Sequence, residues 1–322
     1  MVNVCVLGAI NWDINLFVER FPEIGEEVPV EKITRVPGGK AANVAVACAR
    51  ILGPEQVALI GCLGRDNIAD QQIKILNDEG VVVSGIKIVD DVESGQAYIL
   101  IDKKGRNVIN TLFGANLKLI PGDLQGKGIS NLLGEASIIT VIDPPFETIN
   151  AAFDFAKKEG KTTVWDAGVR STLGIQMLTK VIENLDYLVV NQVEVKNITG
   201  EQNPTSAWNK LSRINRQLKL IVKLGERGCC LVSSEQTITV PRINLEKLGL
   251  GVVNTVGCGD AFLGIFVASK SKGLNDKECL ERANLAGALK ATKSETRGSP
   301  KKQEFEKYLK YKETGVVSSI VK

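Results

Sequence analysis

The run Asn254-Thr255-Val256-Gly257-Cys258-Gly259-Asp260 leads directly into an apolar stretch, Ala261-Phe262-Leu263-Gly264-Ile265-Phe266-Val267-Ala268. A glycine-punctuated loop that opens a helix leaves backbone N–H groups without partners and adds the positive end of the helix dipole, so the junction predicts an anion site. Asp260 reads two ways there: as the helix N-cap, a position Asp favours, or as a carboxylate that acts on a ligand. Further polar residues fall just after strands, where an open parallel sheet binds its ligands. Asn11 and Asp13 follow the first apolar run, Gly38-Gly39-Lys40-Ala41-Ala42-Asn43 opens a helix, and Asp143 follows another apolar run. Each has a plainer role as well: Asn11 and Asp13 as turn formers, the glycine pair as a turn, Asp143 as a cap for the helix after Pro144-Pro145. Taken together, Asp, Asn and Lys side chains around one crevice suit a polyhydroxylated ligand, whose hydroxyl groups both donate and accept hydrogen bonds.

Composition narrows the chemistry. The 322 residues include no histidine, which removes a Ser-His-Asp triad, imidazole metal ligands and imidazole bases together. Any reaction must rest on carboxylates, lysines, backbone amides and a bound metal. Apolar residues make up 44% and charged residues 24%, as in a soluble globular protein, and a net charge of +3 with interspersed signs gives no nucleic-acid footprint. No apolar run approaches a membrane span, and Met1 leads into Val2-Asn3-Val4-Cys5 without a basic signal region, so a cytoplasmic protein is expected. Seven cysteines at irregular spacing, with no Cys-x-x-Cys pair, read as reduced core thiols.

The elements that must position these residues follow from hydrophobic period. Buried strands are predicted at 2–8, 57–60, 138–142, 162–165, 187–190 and 220–224, and helices at 41–52, 68–79 and 147–159. That alternation gives a parallel sheet with helices on both faces. Segments 28–36 and 96–102, the latter turning at Lys103-Lys104-Gly105-Arg106 and returning at 107–111, alternate apolar and polar residues and predict a small projecting sheet. The tail 301–322 reads as a polar helix that frays.

In this order along the chain, the motifs resemble those of the ribokinase-like family of carbohydrate and nucleoside kinases. Gly38 to Asn43 is similar to the family's first signature and Asn254 to Asp260 to its second; Asn191-Gln192-Val193-Glu194 matches an Asn-x-x-Glu motif, Leu224-Gly225-Glu226-Arg227-Gly228 a nucleotide-side loop, and Gly114-Ala115-Asn116 fits as well. The resemblance implies one α/β kinase domain over 1–322: a three-layer α/β/α sandwich with a mostly parallel central sheet and a β-sheet lid formed by about 14–37 and 93–113. It implies ATP-dependent phosphorylation of a small sugar, D-ribose at its 5-hydroxyl first and a nucleoside or another carbohydrate next. Asn11, Asp13, Gly39, Lys40, Asn43 and Asp143 would hold the sugar, Asp260 would act as base, and the amides of Gly257, Cys258 and Gly259 would stabilise the transferring group. Asn191, Lys223, Gly225, Gly228 and Asn284 would border the nucleotide, with Glu194 meeting Mg2+ through water. Lid strands often pair between subunits in this family, which implies a homodimer.

Four positions depart from the family pattern. Asn254 stands where Asp is usual, in a region that helps bind an activating monovalent cation, and the loop Lys293-Ser294-Glu295-Thr296-Arg297-Gly298-Ser299-Pro300 lacks the usual Gly-Ala pattern, which leaves a potassium (K+) site open. Asp143 replaces a usual Glu. Cys258 replaces a small residue such as Ala; a thiol at a helix start can have a depressed pKa, so it reads either as a reactive group shielded by ATP or as a small buried filler.

Overall fold

Strand β1 (Val4–Gly8) is buried on both faces, Val4 and Val6 entering one core and Cys5 and Leu7 the other, which is why it reads as an unbroken apolar run. The computed structural model describes residues 1–314. After β1 come β2 (Asn11–Val18), β3 (Val30–Gly38), α1 (Lys40–Leu52), β4 (Val57–Gly64), α2 (Asn67–Asp78) and β5 (Val82–Val89). The hairpin β6 (Gly95–Ile101) and β7 (Asn107–Leu112) precedes α3 (Lys127–Glu135), β8 (Ile138–Ile142), α4 (Phe146–Lys158), β9 (Thr162–Asp166) and α5 (Gly174–Glu183). Then follow β10 (Tyr187–Asn191), α6 (Gln192–Thr199), α7 (Pro204–Leu211), β11 (Lys219–Lys223), β12 (Cys229–Val232) and β13 (Thr237–Val240). Helices α8 (Cys258–Ser271), α9 (Asp276–Ala291) and α10 (Lys302–Thr314) complete the described chain.

Among the described residues, nine strands form one sheet in the order β13-β12-β11-β10-β9-β8-β1-β4-β5, and four form a second in the order β3-β2-β6-β7. The large sheet is parallel from β11 through β5, with β12 and β13 antiparallel at one edge. One apolar core lies between this sheet and α1, α8 and α9; the other lies beneath α4 to α7. This is the expected α/β/α sandwich with its lid sheet.

The lid begins three residues earlier than expected. Asn11 and Asp13 were open to a turn role, but the chain needs only Ala9-Ile10 to change sheets, and both residues lie on β2, paired with β3 and β6. Strands β5, β12 and β13 were not predicted, and β4 runs four residues past its expected end. Six of the seven cysteines are buried, Cys258 being the half-buried exception. Helix α10 accounts for the first part of the polar tail, while the fraying expected after it falls on 315–322, outside the described residues. Among the described residues no helix is long and apolar enough to cross a membrane.

Candidate active site

Adjacent parallel strands deliver their last residues to one line. Asp143 follows β8, Asp166 ends β9, Asn191 ends β10 and Lys223 ends β11. Lys40, the first residue of α1, reaches across to Asp143, with Nζ 3.0 Å from Oδ2. Beside that pair, Lys223 Nζ lies 2.8 Å from Asp166 Oδ2. Asp143 was open to a capping role, but Pro145 occupies the cap of α4 without a side-chain hydrogen bond, and the Asp143 carboxylate accepts instead from the Val169 N–H at 3.1 Å. Its backbone has φ of +57°, a strained conformation that turns the side chain to this line.

Burial raises the Asp143 pKa from its ordinary value, with Lys40 opposing. Burial acts on Asp166 in the same sense, but Lys223 and Lys40 outweigh it and hold that carboxyl below its ordinary value. Both lysines are pulled down by burial and pushed up further by the surrounding carboxylates, ending above the usual lysine pKa. In both pairs the carboxylate and the ammonium each favour the charged form of the other, against the cost of burial.

Asp260 arrives from the other side of the cleft through helix packing. Gly264, one turn beyond Asp260, sits so close to α1 that a Cβ there would lie 2.6 Å from the Ala47 Cβ and 2.8 Å from the Val44 carbonyl oxygen. Ala47 is one turn beyond Asn43, and the matching turn places Asn43 opposite Asp260, whose Oδ2 accepts from Asn43 Nδ2 at 2.8 Å. Burial raises the Asp260 pKa, opposed by this hydrogen bond and by Lys40 and Lys223. Asp260 is not the N-cap: Gly257 occupies that position with φ of +82°, backed against Thr296, and Asp260 lies inside the first turn.

Among the described residues, the amides of Gly257, Gly259 and Asp260 have no hydrogen-bond acceptor, which leaves three donors available at the helix start. The Cys258 N–H was expected among them, but it donates to the Thr255 carbonyl at 3.2 Å and is taken up by the turn. Its thiol is not activated either. Burial pushes its pKa up to about 11 despite the nearby Lys290, which favours the filler reading over the reactive thiol.

On the lid side, Asp13 is buried against Gly38, with Arg297 and Asp260 acting on its charge. Burial pushes its pKa up to about 7, with Arg297 opposing and Asp260 reinforcing the rise. Asn11 Oδ1 accepts from Asn116 Nδ2 at 2.8 Å, and its carbonyl from Gln72 Nε2 at 2.5 Å. Arg297 gathers this region: its guanidinium donates to Asn43 Oδ1 at 3.0 Å, to the Gly38 carbonyl at 2.7 Å and to Gln72 Oε1 at 3.3 Å. Gly39 caps α1 beside the Asn11 amide.

Asp166 and Arg297 were not singled out from sequence. Asp166 had a signal, since it ends an apolar strand one residue past the predicted boundary. Arg297 had none, because its partners lie 225 to 259 residues away.

The nucleotide-side residues divide. Asn191 caps α6 by accepting from the N–H groups of Val193 and Glu194 at 2.8 and 2.9 Å, while Glu194 Oε2 accepts from the Asn191 N–H at 2.8 Å, a capping box at the end of β10. Burial and the neighbouring Asp166 raise the Glu194 pKa, with Lys223 opposing. Gly225 opens a short turn after β11, and Gly228 packs on Val240 and Pro241, whose carbonyl accepts from Asn284 Nδ2 at 2.8 Å, so Gly228 and Asn284 meet at the end of β13. Lys223 stands apart from them, turned toward Asp166 and Gly259. Among the described residues no three acidic or thiol groups converge as a metal cage. Glu194 beside an anion site fits magnesium held mainly by phosphate oxygens and water.

The model of the pfkB family carbohydrate kinases matches residues 1–303. A ribokinase of Staphylococcus aureus is 27% identical over 297 residues, covering 90% of this chain and 93% of the relative. A deoxyribokinase of Salmonella typhi is 28% identical over 322 residues, 97% of this chain and 100% of the relative. The structure of Arabidopsis thaliana ribokinase with ribose and ATP is 25% identical and superposes with a TM-score of 0.83, covering 96% of this chain and 99% of that one.

Proposed function

This chain belongs to the pfkB family of carbohydrate kinases, and we propose that it acts as one kinase unit that transfers the γ-phosphoryl group of ATP to the 5-hydroxyl of D-ribose. The observation that carries this reading is the Asn43–Asp260 hydrogen bond, which fixes a half-buried carboxylate beside three unpartnered helix-start amides. Asp260 accepts the proton of the attacking primary hydroxyl, and the amides of Gly257, Gly259 and Asp260 donate to the transferring oxygens. Asn11, Asp13, Gly39, Lys40, Asn43 and Asp143 hold the remaining hydroxyls. Arg297 and Asn116 support that set from behind.

Phosphoryl transfer needs positioning and charge stabilisation more than covalent chemistry, which suits a site without histidine. Magnesium bound with the nucleotide would neutralise phosphate charge, and Glu194 would hold it through water; Lys223 adds positive charge near Gly259. Gly225, Gly228 and Asn284 border the nucleotide, and the exposed Val252 and Val253 offer apolar surface to an adenine ring.

Two subunits pair through the outer face of the lid. The register places Ile33, Leu16, Leu100 and Val108 in one row across all four strands, on the face opposite Asp13, and Ile33 and Val108 are each 45% exposed. The protein works in the cytoplasm.

The similarity to both a ribokinase and a deoxyribokinase makes 2-deoxyribose the second acceptor to consider. An ADP-release assay over ribose, deoxyribose, fructose, inositol and nucleosides tests the assignment. Ribose is expected to give the highest kcat/KM; a nucleoside or inositol ahead of both pentoses would overturn it.

A further inference from the structure

Lys290, in the last turn of α9, is completely buried, a state lysine rarely adopts without a partner. Its Nζ donates to the backbone carbonyls of Asn254 at 3.0 Å and Lys293 at 3.3 Å, and among the described residues it forms no ion pair. Those carbonyls belong to different segments, one leading into α8 and one leaving α9. The same segments are joined by Asn254 Nδ2, which donates to the Ser294 carbonyl at 2.8 Å. Where Gly257 backs onto Thr296, a Cβ would fall 2.2 Å from the Thr296 oxygen and 3.5 Å from Lys290 Cε. The lysine side chain therefore lies behind the turn that presents the unpartnered amides; burial lowers its pKa, and Cys258, Glu295 and Asp260 oppose that and favour its charged form. Two loops gathered by their carbonyl oxygens around one buried positive charge form the coordination that a monovalent metal ion provides. Here the charge is covalently attached.

We propose that Lys290 is a built-in monovalent cation: a positioning residue whose ammonium locks the 254–257 segment against the 293–296 segment and adds positive charge behind the phosphoryl-binding turn, so that catalysis requires no free potassium. The catalytic part of this inference rests on the kinase reading above. The coordination part does not.

The test compares wild type and Lys290→Met in potassium, sodium, ammonium and tetramethylammonium chloride at equal ionic strength. Wild-type kcat should stay within about twofold across the salts, since screening is held constant. Lys290→Met should lose about 10²-fold in kcat in tetramethylammonium through displacement of the turn, and recover much of it in potassium or ammonium. Melting temperatures without sugar or nucleotide form a second arm: potassium should raise that of the variant and leave wild type unmoved. This arm fails or succeeds independently of the ribose assignment. Strong potassium activation of wild type, full activity in the variant, or losses that ignore every small cation would each overturn the proposal. If Lys290→Met does not fold, the wild-type salt series and Lys290→Gln decide it.

Discussion

Asp13 is the residue whose environment reports most directly on the cleft. It is buried between Gly38 and the charges of Arg297 and Asp260, and its pKa stands at about 7 in the folded protein against 3.8 for the free side chain. The folded state therefore holds a proton that the unfolded state has lost. The stability this group contributes is fully present below about pH 4 and is lost as pH rises through 7, on the order of 4 kcal/mol at about 1.4 kcal/mol per pH unit. Asp13→Asn should flatten that part of the ligand-free stability profile between pH 4 and 7, measured by urea denaturation. An unchanged slope would show that Asp13 ionises normally. Sugar hydroxyls donating to Asp13 favour its ionised form, so the ligand-free strain is relieved where binding is proposed. Cys258 shows the same effect, since burial overrides the helix-start effect on its thiol.

At the level of elements, the α1–α8 contact sets the geometry. The pairs Asn43–Asp260 and Ala47–Gly264 are one turn apart on both helices, so the packing distance at Gly264 controls the hydrogen bond at Asp260. Gly264→Ala places a methyl group 2.6 Å from the Ala47 Cβ, where backbone must move. It should cost about 1–3 kcal/mol of stability and lower kcat more than it alters KM. Stability and kinetics equal to wild type would remove the packing argument. Buried strands such as 138–142 were legible from their continuous apolar runs, and the signature residues from their glycines and carboxylates. Strand β2 was not, because Asn11 and Asp13 look like turn residues until the pairing with β3 and β6 shows them alternating with Trp12 and Ile14. The four-residue strands β12 and β13 are too short for a periodic signal, and Arg297 acts only through contacts that folding creates.

For the whole molecule, the lid supplies both one wall of the cleft and the proposed subunit contact. Light scattering should give a dimer, and Ile33→Glu with Val108→Glu should give a monomer, because two charges in that row would be buried on association. A monomeric wild-type mass would exclude the lid contact. The assembled site brings the α1–α8 junction and the charges of Lys40 and Lys223 to bear on Asp260, the carboxylate proposed as base. The measurement that tests it most directly is ADP release with ribose and saturating ATP by wild type and Asp260→Asn. Loss of general-base catalysis predicts a fall in kcat of about 10²–10⁴-fold with an unchanged melting temperature, whereas turnover equal to wild type would contradict the account.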